Sequence, residues 1–193
     1  MGFHEVKGEL PRQLYHLGNG LVITWAVLRW GRPVGLVLVL LSAAGLILSL
    51  RYKDRQVPFL EPVIRVLDRP EDREKMPGRG AILYGAAVGL TALLFPPLPA
   101  AGGVAVLAAG DAASTIVGKG WGRHPLPWNK RLSVEGSLGF VIPATLLLSS
   151  FLSFGIALAA AVAGALVETI PWGIDDNVTI PLSVGLLLWL LVG

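Results

Sequence analysis

The 193-residue sequence contains no cysteine, which excludes disulfides, thiolate metal sites and cysteine nucleophiles together. Charge is scarce as well. Only 15% of the residues are Asp, Glu, Lys or Arg, 53% are hydrophobic, and the mean hydropathy is +0.65, far above that of an ordinary soluble domain. Water cannot be the main solvent of such a chain. The amino terminus, MGFHEVKGELPRQLYHLGNG, has no apolar stretch followed by a small-residue cleavage site, so no cleavable signal peptide is expected. The three histidines lack zinc-ligand spacing, with nothing suitable around His4 or His124. The 16 basic and 13 acidic residues give a net charge of +3, but they cluster between apolar runs, so the basic balance does not point to nucleic acid.

What is present is a series of apolar runs of membrane-spanning length. Crossing a hydrocarbon core of about 30 Å takes roughly 17 to 25 residues of helix. Residues 33–50 carry no charge at all, and residues 81–95 and 98–117 form a pair separated by the breaker Pro96, Pro97, Leu98, Pro99. The run from 137 to 167 is too long for one crossing and is expected to split near 149–155, where Ser and Gly gather. A last span covers about 178–192. A first, 14–30, is counted as a span, with a short or broken helix as the alternative, because Gly18, Asn19 and Gly20 interrupt its start. The fold expectation is an all-helical integral membrane bundle of six or seven short spans, a single domain over residues 1–193 with no internal repeat.

Alternating the loops between two sides puts 14 basic residues on one and only Arg29 and Arg32 on the other. The positive-inside rule makes the first side cytoplasmic. The longest polar segment, 51–80, is on that side and is expected to contain a surface helix over 57–67.

Three polar clusters fall on the same side. Asp111 sits within the apolar run LAAGDAASTIVG (107–118); a carboxylate there is costly unless paired, protonated or bound to a cation. Ser114 and Thr115 follow it by three and four residues, on the same helical face, so that carboxylate and hydroxyl oxygens could share a magnesium ion. Gly110, Ser114 and Gly118 recur every four residues and permit close helix approach. Next comes KGWGRHPLPWNKR (119–131), where Lys119, Arg123, Lys130 and Arg131 stand among glycines in a pattern suited to phosphate. It matches neither GxxxxGK(S/T) nor GxGxxG. Ser133 is a plausible cap for the next helix. The third cluster is Glu168, Asp175, Asp176 and Asn177, with no basic residue among them, which calls for compensation by a metal or by the cationic loop. Near the amino terminus, Glu9, Arg12 and His16 fall on one helical face.

These clusters, in this order, resemble the dolichol kinase and phytol kinase family of multispanning lipid kinases, which includes CTP-dependent diacylglycerol kinases. The resemblance rests on ELPRQLYH (9–16), like E-x-x-R-K-x-x-H with Gln13 in place of Lys, on RPEDREKMPGRGAILY (69–84), and above all on GDAASTIVGKGWGRHPLPWNKRLSVEGSL (110–138) and ETIPWGIDDNVTIPL (168–182). It implies phosphorylation of a membrane lipid alcohol (polyprenol, dolichol, phytol or diacylglycerol) by a nucleoside triphosphate, CTP, with Mg2+. The family's functional residues map to Asp111, Lys119, Lys130, Glu135, Glu168, Asp175, Asp176 and Asn177. The roles expected are Asp111 or Glu168 as catalytic base; Lys119, Arg123, Lys130, Arg131, Glu135 and Asn177 on nucleotide and phosphate; Asp111, Ser114, Asp175 and Asp176 on the metal; Arg12 and His16 at the substrate headgroup. Expected partners are the lipid alcohol, the nucleotide and the bilayer, without nucleic acid; a homo-oligomer is compatible with the sequence.

Two other readings stay open at the level of residues. One is cytidylyl transfer to phosphatidate, although neither the paired glycines with D-R-x-D of that class nor D-G-x-x-A-R is present. The other is a small cation-coupled transporter using Asp111, which would need polar residues throughout the outer half, where the sequence supplies almost none.

Overall fold

A computed structural model describes residues 3–52, 76–171 and 173–193. The surface helix expected over 57–67 lies outside the described residues, as do Lys53, Arg55, Arg65, Arg69, Arg73 and Lys75. Seven helices are present among the described residues, and no strand: α1 (Phe3–Trp30), α2 (Arg32–Tyr52), α3 (Arg79–Leu94), α4 (Pro97–Trp121), α5 (Val134–Leu148), α6 (Phe154–Thr169) and α7 (Asp176–Val192). The helix breaks fall where local chemistry demands them. Gly31, at φ 64°, takes the left-handed turn between α1 and α2. Phe95 and Pro96 end α3, and Pro97 opens α4 at a position where its missing N–H is no loss. Ser133 caps α5 by accepting from the Gly136 amide at 3.1 Å, and Asp175 caps α7 by accepting from the Asn177 amide, also at 3.1 Å. The long apolar run divides at 149–153, between α5 and α6.

Of the two forms open to it, the first helix takes the continuous one. It runs unbroken through Gly18, Asn19 and Gly20, and the reason is packing. A Cβ on Gly20 would overlap that of Ala108 on α4, so the glycine brings two backbones together instead of ending a helix. The glycines after residue 117 do depart from expectation. α4 continues through Gly118, Lys119 and Gly120 to Trp121, and Gly136 of α5 packs closely on it there: a Cβ on Gly136 would stand 3.3 Å from both the Gly118 Cα and the Ser114 carbonyl oxygen. Lys119 therefore belongs to the last turn of a helix, not to the loop.

α4 is the axis of the molecule. Its residues 99–110 are buried, and it packs on α5, α1 and α7, with α3 and α6 touching it less; α2 leans on α3 at the edge. Small residues dominate the central helix, and large ones fill the gaps from outside: Phe140 of α5 and Val27, Val88, Val184 and Leu188 are buried around it. The outward faces are unusually apolar, with Leu41 63%, Leu146 67% and Leu190 74% exposed, as expected of surfaces that meet lipid and not water. α2 and α4 are each long and apolar enough to cross a membrane. α3, α5, α6 and α7 are apolar helices of 16, 15, 16 and 17 residues, or about 22 to 26 Å at 1.5 Å per residue.

Candidate active site

Every polar contact of interest gathers at one end of α4, around its carboxyl-terminal three turns. Asp111 and Ser114, three residues apart, point to different neighbours. Asp111, half-buried, faces α1: its Oδ2 lies 3.7 Å from Nε2 of His16, too far for a hydrogen bond. The His16 ring stands edge-on to Tyr84 of α3, with centroids 4.9 Å apart. Both His16 Nε2 and the Tyr84 hydroxyl are buried without a hydrogen-bond partner among the described residues. Ser114 faces α6: its Oγ donates to Oε1 of Glu168 at 2.6 Å, with the Asp111 carbonyl, at 3.1 Å, as a second acceptor. Glu168 is 5% exposed, and both Asp111 and Asp176 act on it electrostatically. One turn of α4 thus carries an acid toward α1 and a hydroxyl toward a second acid on α6.

One turn further on, Lys119 is ion-paired with Glu9 of α1. The same carboxylate accepts from Arg12, at 2.9 Å from Nε and 2.5 Å from the terminal nitrogen. Burial raises the pKa of Glu9, but the Lys119 and Arg12 contacts outweigh it and hold the carboxyl below its ordinary value. This carboxylate joins the amino-terminal motif to the end of α4.

The loop 122–133 closes on itself through an isolated bridge between Pro125 and Ser133 and is pinned to α6 by Asn129, whose side-chain amide donates to the Thr169 carbonyl at 3.2 Å. Its backbone amides do form an anion nest, as the glycines suggested. The occupant is internal: Oε2 of Glu135 accepts from the amides of Arg123 and His124 at 3.1 and 3.2 Å, and Oε1 meets Nδ1 of His124 at 2.5 Å. Contact with the His124 ring, and after it the backbone amides, pulls Glu135 down to about 2. The side chains of Arg123, Lys130 and Arg131 are exposed and have no ion-pair partner among the described residues.

The structure therefore brings His16 to Asp111, Ser114 to Glu168, and Arg12 with Lys119 to Glu9. Glu135 is turned into its own loop. Asp175 is engaged as the α7 cap, accepting from the Asn177 side chain at 2.7 Å as well as from its backbone amide. Among the described residues, no three His, Asp or Glu side chains form a ready-made metal cage.

Over 200 aligned residues, covering 94% of this chain and 78% of the relative, the sequence is 33% identical to a protein named phytol kinase from Synechocystis. This chain belongs to the phytol kinase family. It is also 29% identical to a farnesol kinase of Arabidopsis thaliana, over 91% of this chain and 63% of that protein, and 29% identical to a CTP-dependent diacylglycerol kinase of Schizosaccharomyces pombe, over 63% and 64%. No family model and no solved structure matches it. Membership in this family places a lipid kinase on the frame just described. Two of its residues escaped sequence reasoning, Tyr84, lying at the end of a recognised motif, and Gly20, read as a helix breaker; Glu9 was singled out, but its partner stands 110 positions away.

Proposed function

We propose that this protein transfers the γ-phosphoryl group of CTP, with Mg2+, to the hydroxyl of a membrane lipid alcohol, from a site facing the cytoplasm in a single multispanning domain. The observation that carries the reading is the pairing on one turn of α4: Asp111 toward α1, and Ser114 with Glu168 toward α6. A phosphoryl transfer needs one place for an acceptor hydroxyl and its proton and another for the charge of a polyphosphate, and this turn offers two neighbouring polar surfaces. The named relatives act, by name, on phytol, farnesol and diacylglycerol, which share a hydroxyl at the end of an apolar body. The charge asymmetry of the loops supports the cytoplasmic orientation.

In this mechanism the alcohol oxygen forms a bond to the γ-phosphorus, the bond from that phosphorus to the β,γ-bridging oxygen breaks, and the nucleoside diphosphate leaves with the electron pair. The alcohol proton passes to a carboxylate. Asp111 is the better base, since Glu168 already accepts from Ser114. Arg123, Lys130 and Arg131 are free to meet phosphate oxygens, each as a charge-assisted contact. Lys119 contributes from the end of α4, its charge shared with Glu9. Arg12, on the same carboxylate, lies at headgroup depth with His16. The residues fit a magnesium ion of the kind that arrives with a nucleotide. The acid side holds a hydroxyl and carboxylates without a closed cage, and magnesium keeps water and phosphate oxygens as ligands. Ser114, Glu168 and Asp176, with the second oxygen of Asp175, are the residues that would hold it, and Asp111, turned toward α1, is left to the alcohol. When bound, it neutralises charge on the β- and γ-phosphates.

The test is transfer of label by the purified protein to farnesol, phytol and diacylglycerol. Label from the γ-phosphate of CTP should reach the lipid and label from the α-phosphate should not. Transfer of α-label to phosphatidate would establish cytidylyl transfer instead. If neither nucleotide labels any lipid, the kinase reading is lost.

A further inference from the structure

We infer that the buried space between His16, Tyr84 and Asp111 is the seat of the acceptor hydroxyl, and that Tyr84 is the residue that donates to it. The inference rests on the lipid kinase reading above and adds to it where, within the site, the alcohol binds.

Tyr84 is 6% exposed, and its hydroxyl has no hydrogen-bond partner among the described residues. The phenol passes edge-on to the His16 ring and reaches α1 one turn deeper, where a Cβ built on Gly20 would come within 3.2 Å of its oxygen. Asp111 lies close enough to act on the phenol electrostatically. His16 Nε2, the second unpartnered atom, stands 3.7 Å from Asp111. Two buried polar atoms without partners in one small space are expensive, about 1 to 3 kcal/mol each, and native chains keep such groups where a ligand completes them. A side chain at Gly20 would press on the phenol oxygen, so the glycine leaves that oxygen uncovered.

A lipid hydroxyl fits between the phenol and the carboxylate. Its oxygen accepts from the Tyr84 O–H, while its own O–H donates to the Asp111 carboxylate, the group that takes the proton. A phosphate would instead face that carboxylate directly. An apolar groove lies further along the same helix. α1 packs chiefly on α4 and only lightly on α2, and the groove between α1 and α2 is lined by Ala26, Trp30, Val34 and Leu38, where the apolar body would lie. From His16 to Trp30 is about 21 Å along α1, the scale of an extended isoprenoid chain.

The experiment uses the full-length protein in detergent, with radiolabelled farnesol as the probe. In Tyr84→Phe, one donor is removed and the ring is kept. Farnesol retention without nucleotide should fall about 3- to 10-fold, the worth of one hydrogen bond, and the KM for farnesol should rise by the same factor with the KM for CTP unchanged. The melting temperature should hold or increase, because the deleted hydroxyl bonds nothing in the free protein. A fall in melting temperature with both KM values unmoved would make Tyr84 a packing residue and overturn the inference. So would loss of farnesol retention on Val162→Trp, in the separate cleft between α5 and α6, with none on Tyr84→Phe. If the wild type retains farnesol through Tyr84 yet transfers no phosphate, the kinase reading fails and the subsite stands.

Discussion

The two flanks of α4 are built from different chemistry. Toward α1, Glu9 holds both Arg12 and Lys119, and what has no hydrogen-bond partner among the described residues is an imidazole nitrogen and a phenol beside one carboxylate. Toward α6 and α7 the side chains are acidic, with Glu168 hydrogen-bonded to a serine and influenced by Asp111 and Asp176. A neutral hydroxyl suits the first flank and a cation with its polyphosphate suits the second. The difference teaches that a single turn of one helix can serve two substrates, provided that its neighbours are chosen separately, and the predictions below are ways to separate the flanks.

The largest effect is expected from the two acids themselves. Asp111→Asn preserves shape and removes the proton acceptor, and should lower kcat by about 1,000-fold or more, while base removal in general costs 100- to 10,000-fold. Glu168→Gln should lower activity by about 100-fold in a different manner, with part of the loss recovered by raising Mg2+. Steady-state kinetics at several magnesium concentrations checks the contrast. If Asp111→Asn were the variant rescued by magnesium, the assignment of the flanks would have to be exchanged.

Next in size is the seam between α1 and α4. Gly20→Val would drive two methyl groups into Ala108 and the Tyr84 hydroxyl, and overpacking of this kind costs about 1 to 3 kcal/mol. The melting temperature should fall, and His16 should move away from Asp111, so that farnesol binding is lost ahead of nucleotide binding. Gly18→Val is the control, since nothing lies within 4 Å of a Cβ there. Equal behaviour of the two variants would remove the packing role given to Gly20.

That pair of glycines also marks where sequence reasoning succeeds and where it stops. Asp111 was legible because a carboxylate in an apolar run violates the local pattern, and the breaks at Pro96 and around Ser149 were legible because proline and serine act on their own backbone. The cap Ser133 is equally local, whereas Asp175, read as a metal ligand, showed its capping role only in the fold. Gly20 was read as a breaker because intrinsic propensity is a local quantity, whereas its actual role depends on Ala108, 88 positions later in the chain. Lys119 was placed in a loop for the same reason, since the packing of Gly118 on Gly136 overrides the weak helix preference of glycine. Tyr84 obeys the local pattern and so gave no signal, and Glu9 showed its helical face but not its partner; only the approach of α1 and α3 to α4 sets their surroundings.

The smallest effect concerns the loop that joins the flanks. Glu135 fills the nest made by the Arg123 and His124 amides, and so shapes the loop that presents Arg123, Lys130 and Arg131 to phosphate. Removing it should leave those cations present but poorly ordered. Glu135→Ala should raise the KM for CTP about 3- to 10-fold, the worth of a hydrogen bond or so, and leave the farnesol KM unchanged. The pH dependence follows from the sign of the shift. The carboxyl sits near 2 in the folded chain against an ordinary 4.5, so its contribution is complete above 4.5 and is lost as the pH falls through 4.5 toward 2. Pepsin, active across that interval, can read the change. Cleavage within 122–133, scaled to a free peptide of the same sequence, should be slow at pH 4.5 and rise toward pH 2 in the wild type, and be fast throughout in Glu135→Ala. Equal cleavage of the two proteins at pH 4.5 would mean that the hairpin bonds, Leu126 to Leu132 at 3.0 Å and Val134 to His124 at 2.9 Å, hold the loop without Glu135, and would return that residue to a direct role at the nucleotide.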